Sequence, residues 1–145
     1  VTTANLNATA DIAAILNFDV LDDTINCGTV VVDQVTCDTG VGTEAQIEVD
    51  ANSDWVLTFV DINGTNAADE VTFANDDGAK FGEFILDLTS NAPDAANGGT
   101  ADIGVIVDID GTFRGAGVTA NDHVDVTDDN GTYAGSFSVT LTATN

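Results

Sequence analysis

The stretch Ala4–Val20, ANLNATADIAAILNFDV, decides how this chain is read. Ala4, Leu6, Ala8, Ala10, Ile12, Ala14, Leu16, Phe18 and Val20 fall at every second position. Asn5, Asn7, Thr9, Asp11, Asn17 and Asp19 fall between them, with Ala13 and Ile15 as the only apolar exceptions. A period of two means extended strand, because successive side chains point to opposite faces. At roughly 3.3 Å per residue the stretch would be about 56 Å long, whereas an ordinary strand has about 5–6 residues. A domain of 145 residues is too small to use that length as one internal strand. Either the stretch bends into two strands, or its first half leaves the domain and completes the sheet of a neighbour.

The rest of the chain has the same character. Short runs of Val, Ile, Ala and Phe are separated by Gly, Asn and Asp, the rhythm of an all-β sandwich or barrel. Thr29–Val35, Glu44–Asp50, Trp55–Val60, Glu70–Asn75 and Lys80–Leu88 read as strands. Asp50–Asp54 (DANSD) reads as a hairpin turn, and Asn75–Gly78 as a second connection. Ile103, Val105, Val107 and Ile109 alternate into an expected turn at Asp110-Gly111. Val118–Thr127 is a weaker strand, and Ser90–Thr100 (SNAPDAANGGT) has the composition of a surface loop. At the C-terminus Tyr133, Gly135, Phe137, Val139, Leu141 and Ala143 face one way, and Ser136, Ser138, Thr140 and Thr142 the other. The expected core is therefore built from period-two strands, with Trp55 among Leu57 and Phe59. The length suits one domain with a real core, and no internal repeat or linker divides it.

Charge narrows the function classes. Lys80 and Arg114 stand against 25 acidic residues, for a net charge of −23. Nucleic acid and anionic membranes select Lys/Arg clusters, so neither is an expected partner. No stretch approaches the roughly 20 apolar residues of a membrane span. Such acidity fits a solvated surface in a saline habitat, divalent-cation binding, or both. The apolar periodicity argues for a folded core rather than disorder.

Cys27 and Cys37 are the only cysteines, nine residues lie between them, and the chain has no methionine. A start of Val-Thr-Thr fits a processed chain or an expressed fragment; removal of a signal peptide is the natural reading, and secretion is the expected compartment. In that compartment the two cysteines are expected to form a local disulfide. A zinc pair is disfavoured because His123 is the only histidine.

Chemistry is sparse. Nucleophilic catalysis needs a Ser, Cys or Thr beside an oriented base. The chain has one histidine and no G-x-S-x-G elbow, so it is not read as an enzyme. No cofactor is required by the sequence. Ca²⁺ is the candidate ligand, since Asp108 and Asp110, and Asp125, Asp128 and Asp129, gather hard oxygen donors. Neither group has the spacing of a calcium-binding helix–loop–helix site, and Asp-Gly and Asn-Gly are also ordinary hairpin tips. Asn63-Gly64-Thr65 and Asn130-Gly131-Thr132 are glycosylation sequons with Asp61 and Asp128 two residues upstream, which makes Asn63 and Asn130 candidate acceptors; Asn7-Ala8-Thr9 is a third sequon.

Val35–Cys37 (VTC) with Ile47–Asp50 and Trp55–Val60, Gly131–Thr144 (GTYAGSFSVTLTAT), and the opening ANLNATADI together resemble spore-coat-U-type, fimbria-like secreted β-sandwich subunits. The resemblance covers about half the chain, which departs from the pattern in its acidity. It implies an incomplete Ig-like or jelly-roll sandwich whose missing strand comes from the N-terminal extension of the next subunit. On that reading residues 1–14 are the donor extension and residues 15–145 the β-sandwich. Ala4, Leu6, Ala8, Ala10 and Ile12 enter a neighbour's groove, and the chain is a subunit of an extracellular filament, pilus or biofilm matrix fibre. Its partners are copies of itself, with an assembly chaperone as a further candidate. The alternatives are a monomeric surface-layer or adhesin sandwich, and a secreted module binding Ca²⁺ or carbohydrate through Trp55 and Tyr133.

Overall fold

The computed structural model describes residues 1–32, 34, 37, 44–62, 67–75, 83–114, 124 and 131–144. These residues are all-β and form two antiparallel sheets. The strands are β1 (Leu16–Asp22), β2 (Ala45–Ala51), β3 (Trp55–Asp61), β4 (Glu70–Ala74), β5 (Glu83–Ser90), β6 (Gly98–Gly99), β7 (Asp102–Phe113) and β8 (Phe137–Ala143). One sheet has the order β1-β2-β7-β5-β4, the other β6-β3-β8.

Alternation positions the core. Along β2, Ala45, Ile47, Val49 and Ala51 are buried between half-buried polar neighbours; along β3, Trp55, Leu57, Phe59 and Asp61 are buried, alternating with Val56, Thr58 and Val60 on the outer face. With Val71, Phe84, Leu86, Val107, Ile109 and Phe113 they form one apolar cluster. Phe73, Phe84 and Phe113 meet edge-on or tilted, at 5.3–6.0 Å between ring centroids, the geometry that the aromatic quadrupole favours. Asp61 is the one buried charged side chain among the described residues, and its Oδ2 accepts a hydrogen bond from the Thr72 amide at 3.1 Å. Arg114 bridges Glu70 of β4 and Asp87 of β5, so one guanidinium ties three neighbouring strands.

Several expectations are corrected. The Asp50–Asp54 link is not a hairpin turn: β2 and β3 lie in different sheets, so it carries the chain across the sandwich. Asp110-Gly111 is not a turn either. β7 runs through it, and Gly111 pairs with Leu88. A Cβ at Gly111 would stand 2.6 Å from Leu86 Cγ and 2.8 Å from the Asp87 carbonyl, so glycine is there for close approach. Within Ser90–Thr100, Gly98 and Gly99 pair with Val56 and Trp55 as β6. A side chain on Gly99 would overlap the Trp55 indole, whose Nε1 donates to the Thr100 carbonyl at 3.1 Å. The expected strand Thr29–Val35 does not form over residues 29–32; Gln34 N–H instead donates to the Val31 carbonyl, and Val31 N–H to Gln34 Oε1. Val118–Thr127 lies outside the described residues except for Val124, which is buried and not in a strand.

Candidate functional site

The two sheets are unequal, and their open sides face each other. β1 pairs only with β2, and β8 only with β3, among the described strands. Leu16, Phe18 and Val20 lie opposite Ala51, Val49 and Ile47 in the β1–β2 register, so they share the core-facing side of the sheet. Yet Leu16 is 38 % and Val20 56 % exposed, whereas their partners on β2 are buried. On β8, Phe137, Val139 and Leu141 face inward but are only half-buried. The core is uncovered along this side.

Between these strands runs an apolar groove of about 580 Å³. Phe18 and Val20 form one wall and Phe137 and Val139 the other. Ile47, Val71, Leu86 and Ile109 lie deeper, and Asp22, Asp23 and Thr24 stand at the rim. Ile62, at 64 % exposure, lines the same end. Among the described residues both walls also present unpaired strand edges, so the groove offers apolar contacts and backbone hydrogen-bonding groups together. An uncovered edge of this kind invites another strand.

Residues 1–15 lie outside both sheets. All are exposed and none belongs to a strand. Leu6 is 92 % and Ile12 89 % exposed, and Ala4, Ala8 and Ala10 share their period-two face. The segment expected to be strand therefore has its pattern but no strand partner in the isolated chain. It joins the body through Asn52. Asn52 Nδ2 donates to the Ala13 carbonyl (2.9 Å), its Oδ1 accepts from the Ile15 amide (2.8 Å), and its own amide donates to the Ile15 carbonyl (3.1 Å). After Ala51 the β2 main chain turns towards the other sheet, and the Asn52 side chain continues the ladder along the arm.

The arm and the groove lie towards opposite ends of the sandwich. The arm leaves beside Ala51, where β1 begins and where β3 and β8 meet in the Trp55–Ala143 pair. The groove is lined by Val20, Asp22 and Ala45, and by Phe137 at the start of β8.

The other candidate residues are dispersed. Cys27 and Cys37 form the disulfide, with Cα atoms 4.6 Å apart and both side chains buried. Asp108 and Asp110 sit in mid-β7 rather than in a loop. Asp108 Oδ1 accepts from Gln46 Nε2 (2.8 Å) and its Oδ2 from Asn91 Nδ2 (3.0 Å), so both oxygens already serve amide donors. Asp110 Oδ1 accepts from the Gly111 amide. Asp125, Asp128, Asp129, Asn63 and Asn130 lie outside the described residues. Among the described residues no group of three or more His, Cys, Asp or Glu is placed to hold a metal ion. No described helix is long and apolar enough to cross a membrane. Trp55 is buried, and Tyr133 is half-buried against Phe84, with ring centroids 5.1 Å apart.

The alternation of residues 4–12 is legible in the sequence, and the groove is not. The groove walls come from β1 and β8, more than a hundred residues apart, and no local pattern joins them. Asn52 was read as part of a turn and missed as an anchor. No protein-family model, curated protein or solved structure matches the chain.

Proposed function

We propose that this protein is the structural subunit of an extracellular filament, pilus or matrix fibre, polymerised by donor-strand exchange. The carrying observation is the pairing of an unpartnered, alternating arm with an unfilled groove on the same chain. Residues 1–14 of one copy enter the groove between β1 and β8 of the next, with Ala4, Leu6, Ala8, Ala10 and Ile12 pointing inward. The exchanged strand covers Phe18, Val20, Phe137 and Val139 and supplies hydrogen-bond partners to a bare strand edge, which is β-augmentation with pockets for alternate side chains. Burying Leu6 and Ile12 alone contributes about 3–6 kcal/mol. The contact is head-to-tail and does not close, so it propagates as a fibre. The sandwich is then an Ig-like or jelly-roll domain completed in trans. A disulfide in a buried position agrees with an exported protein.

Negative-stain electron microscopy of the intact chain beside a version lacking residues 1–14 tests this. Filaments from the intact chain and none from the shortened one are expected. Single particles from both would leave a monomeric surface sandwich.

A further inference from the structure

We propose that Asn52 fixes the direction of the arm, so that it docks antiparallel to β8 of a second copy instead of folding back into its own groove. The inference rests on the donor-strand reading and assigns it a polarity, a register and a positioning residue.

Fourteen extended residues span about 46 Å. Length alone therefore permits the arm to reverse and fill the groove of its own chain. Two features oppose the reversal. Asn52 holds Ala13 and Ile15 by three hydrogen bonds in line with β1, and a reversal must break the pair made by its side chain. The bend would also fall in Ala13-Ala14-Ile15, which contains none of the Gly, Asn, Asp or Pro residues that tight turns favour.

The two arrangements differ in polarity. β8 runs from Phe137, beside Asp61, to Ala143, beside Trp55, so it ends where the arm leaves. A folded-back arm has residue 13 at that end and residue 1 towards the groove mouth, and so lies parallel to β8. An arm arriving from a copy stacked beyond the groove mouth has residue 13 at the mouth and runs antiparallel to β8. Size complementarity selects a register for the second case. Ala10 opposite Phe137 and Ala8 opposite Val139 set small side chains against large ones, and Leu6 then meets Leu141. On the outer face Asn5 falls opposite Thr142, and Thr9 opposite Ser138.

Two double-cysteine variants read the polarity under mild oxidation, scored by non-reducing electrophoresis. N5C/T142C is expected to give an intermolecular ladder, and N5C/S136C, the pair that a folded-back arm would bring together, no crosslink above the level of the single-cysteine chains. The reverse, an intramolecular crosslink in N5C/S136C, overturns the inference. Asn52→Ala is the second arm. It should slow filament growth about tenfold, the loss expected when two hydrogen bonds no longer organise the arm, and place a measurable fraction of N5C/S136C in the crosslinked monomer. Unchanged growth and an unchanged crosslink pattern would remove Asn52 from the role. Filaments that require residues 1–14 but crosslink in the parallel pairing sink this inference alone. Absence of filaments from the intact chain sinks the donor-strand reading itself.

Discussion

Two stretches of this chain alternate with equal regularity and end up differently. Ala4–Ile12 and Phe137–Ala143 both place apolar residues at every second position. β8 pairs with β3 along its whole length and half-buries Phe137, Val139 and Leu141. Ala4–Ile12 pairs with no strand among the described residues and exposes Leu6 almost completely. Alternation therefore encodes competence to be a strand, and the partner decides whether the strand exists. β8 stands between the two conditions, satisfied on one edge and open on the other.

A graded Leu→Ala series separates these conditions, and urea unfolding of the non-assembled subunit measures it. Leu57, buried in β3 opposite Leu141, should cost the most, about 2–5 kcal/mol, because it leaves a cavity as well as losing burial. Replacing Cys27 and Cys37 together by alanine should cost about 2–3 kcal/mol, read as a lower urea midpoint. Leu141→Ala, on the half-covered edge, should cost about 1 kcal/mol in the subunit and more once filaments have formed. Leu6→Ala should leave subunit stability within about 0.5 kcal/mol while weakening assembly. A Leu6 variant that lowers the midpoint as much as Leu141→Ala would show the arm already docked, and the comparison would collapse.

The smallest effect concerns salt. Asp11 is the arm's one charged side chain in residues 2–14, and a docking arm carries it past Asp22 and Asp23 at the groove rim. Across the whole subunit the net charge is −23. Charges separated by more than a Debye length are screened, and that length falls from about 30 Å at 0.01 M to about 8 Å at 0.15 M. Filament growth followed by light scattering should therefore quicken over this range. Asp11→Asn should flatten the dependence.

Where the sequence was legible, one local rule was sufficient. β2, β3 and β4 lie within a residue or two of the runs that alternation marks, and β8 begins at Phe137 inside a run expected from Tyr133, because each buries one face and the pattern is set by that face. The failures share a cause: a residue whose role depends on a distant neighbour. Asp110-Gly111 has the chemistry of a turn, yet Gly111 is small because Leu86 and the Asp87 carbonyl crowd it from the next strand. Gly98-Gly99 looks like loop, yet it packs against the Trp55 indole. The Asp50–Asp54 link has turn residues and makes a turn, but one that changes sheets. At the candidate site the alternation of residues 4–12 was readable, although those residues form no strand here. The groove was not, since it exists only where β1 and β8 leave the core uncovered. Asp108 shows the converse error: its carboxylate has the right donor chemistry for Ca²⁺, but Gln46 and Asn91, neighbours only in the fold, already occupy it.

The arm is continuous with β1, and β1 is held to β2 from Leu16 to Asp22 by a ladder whose hydrogen bonds lie across the strand direction. A pull on the arm along its own axis therefore loads that whole ladder in shear, all bonds together, instead of peeling it open one bond at a time. The chain is anchored to its body in the orientation that best resists tension.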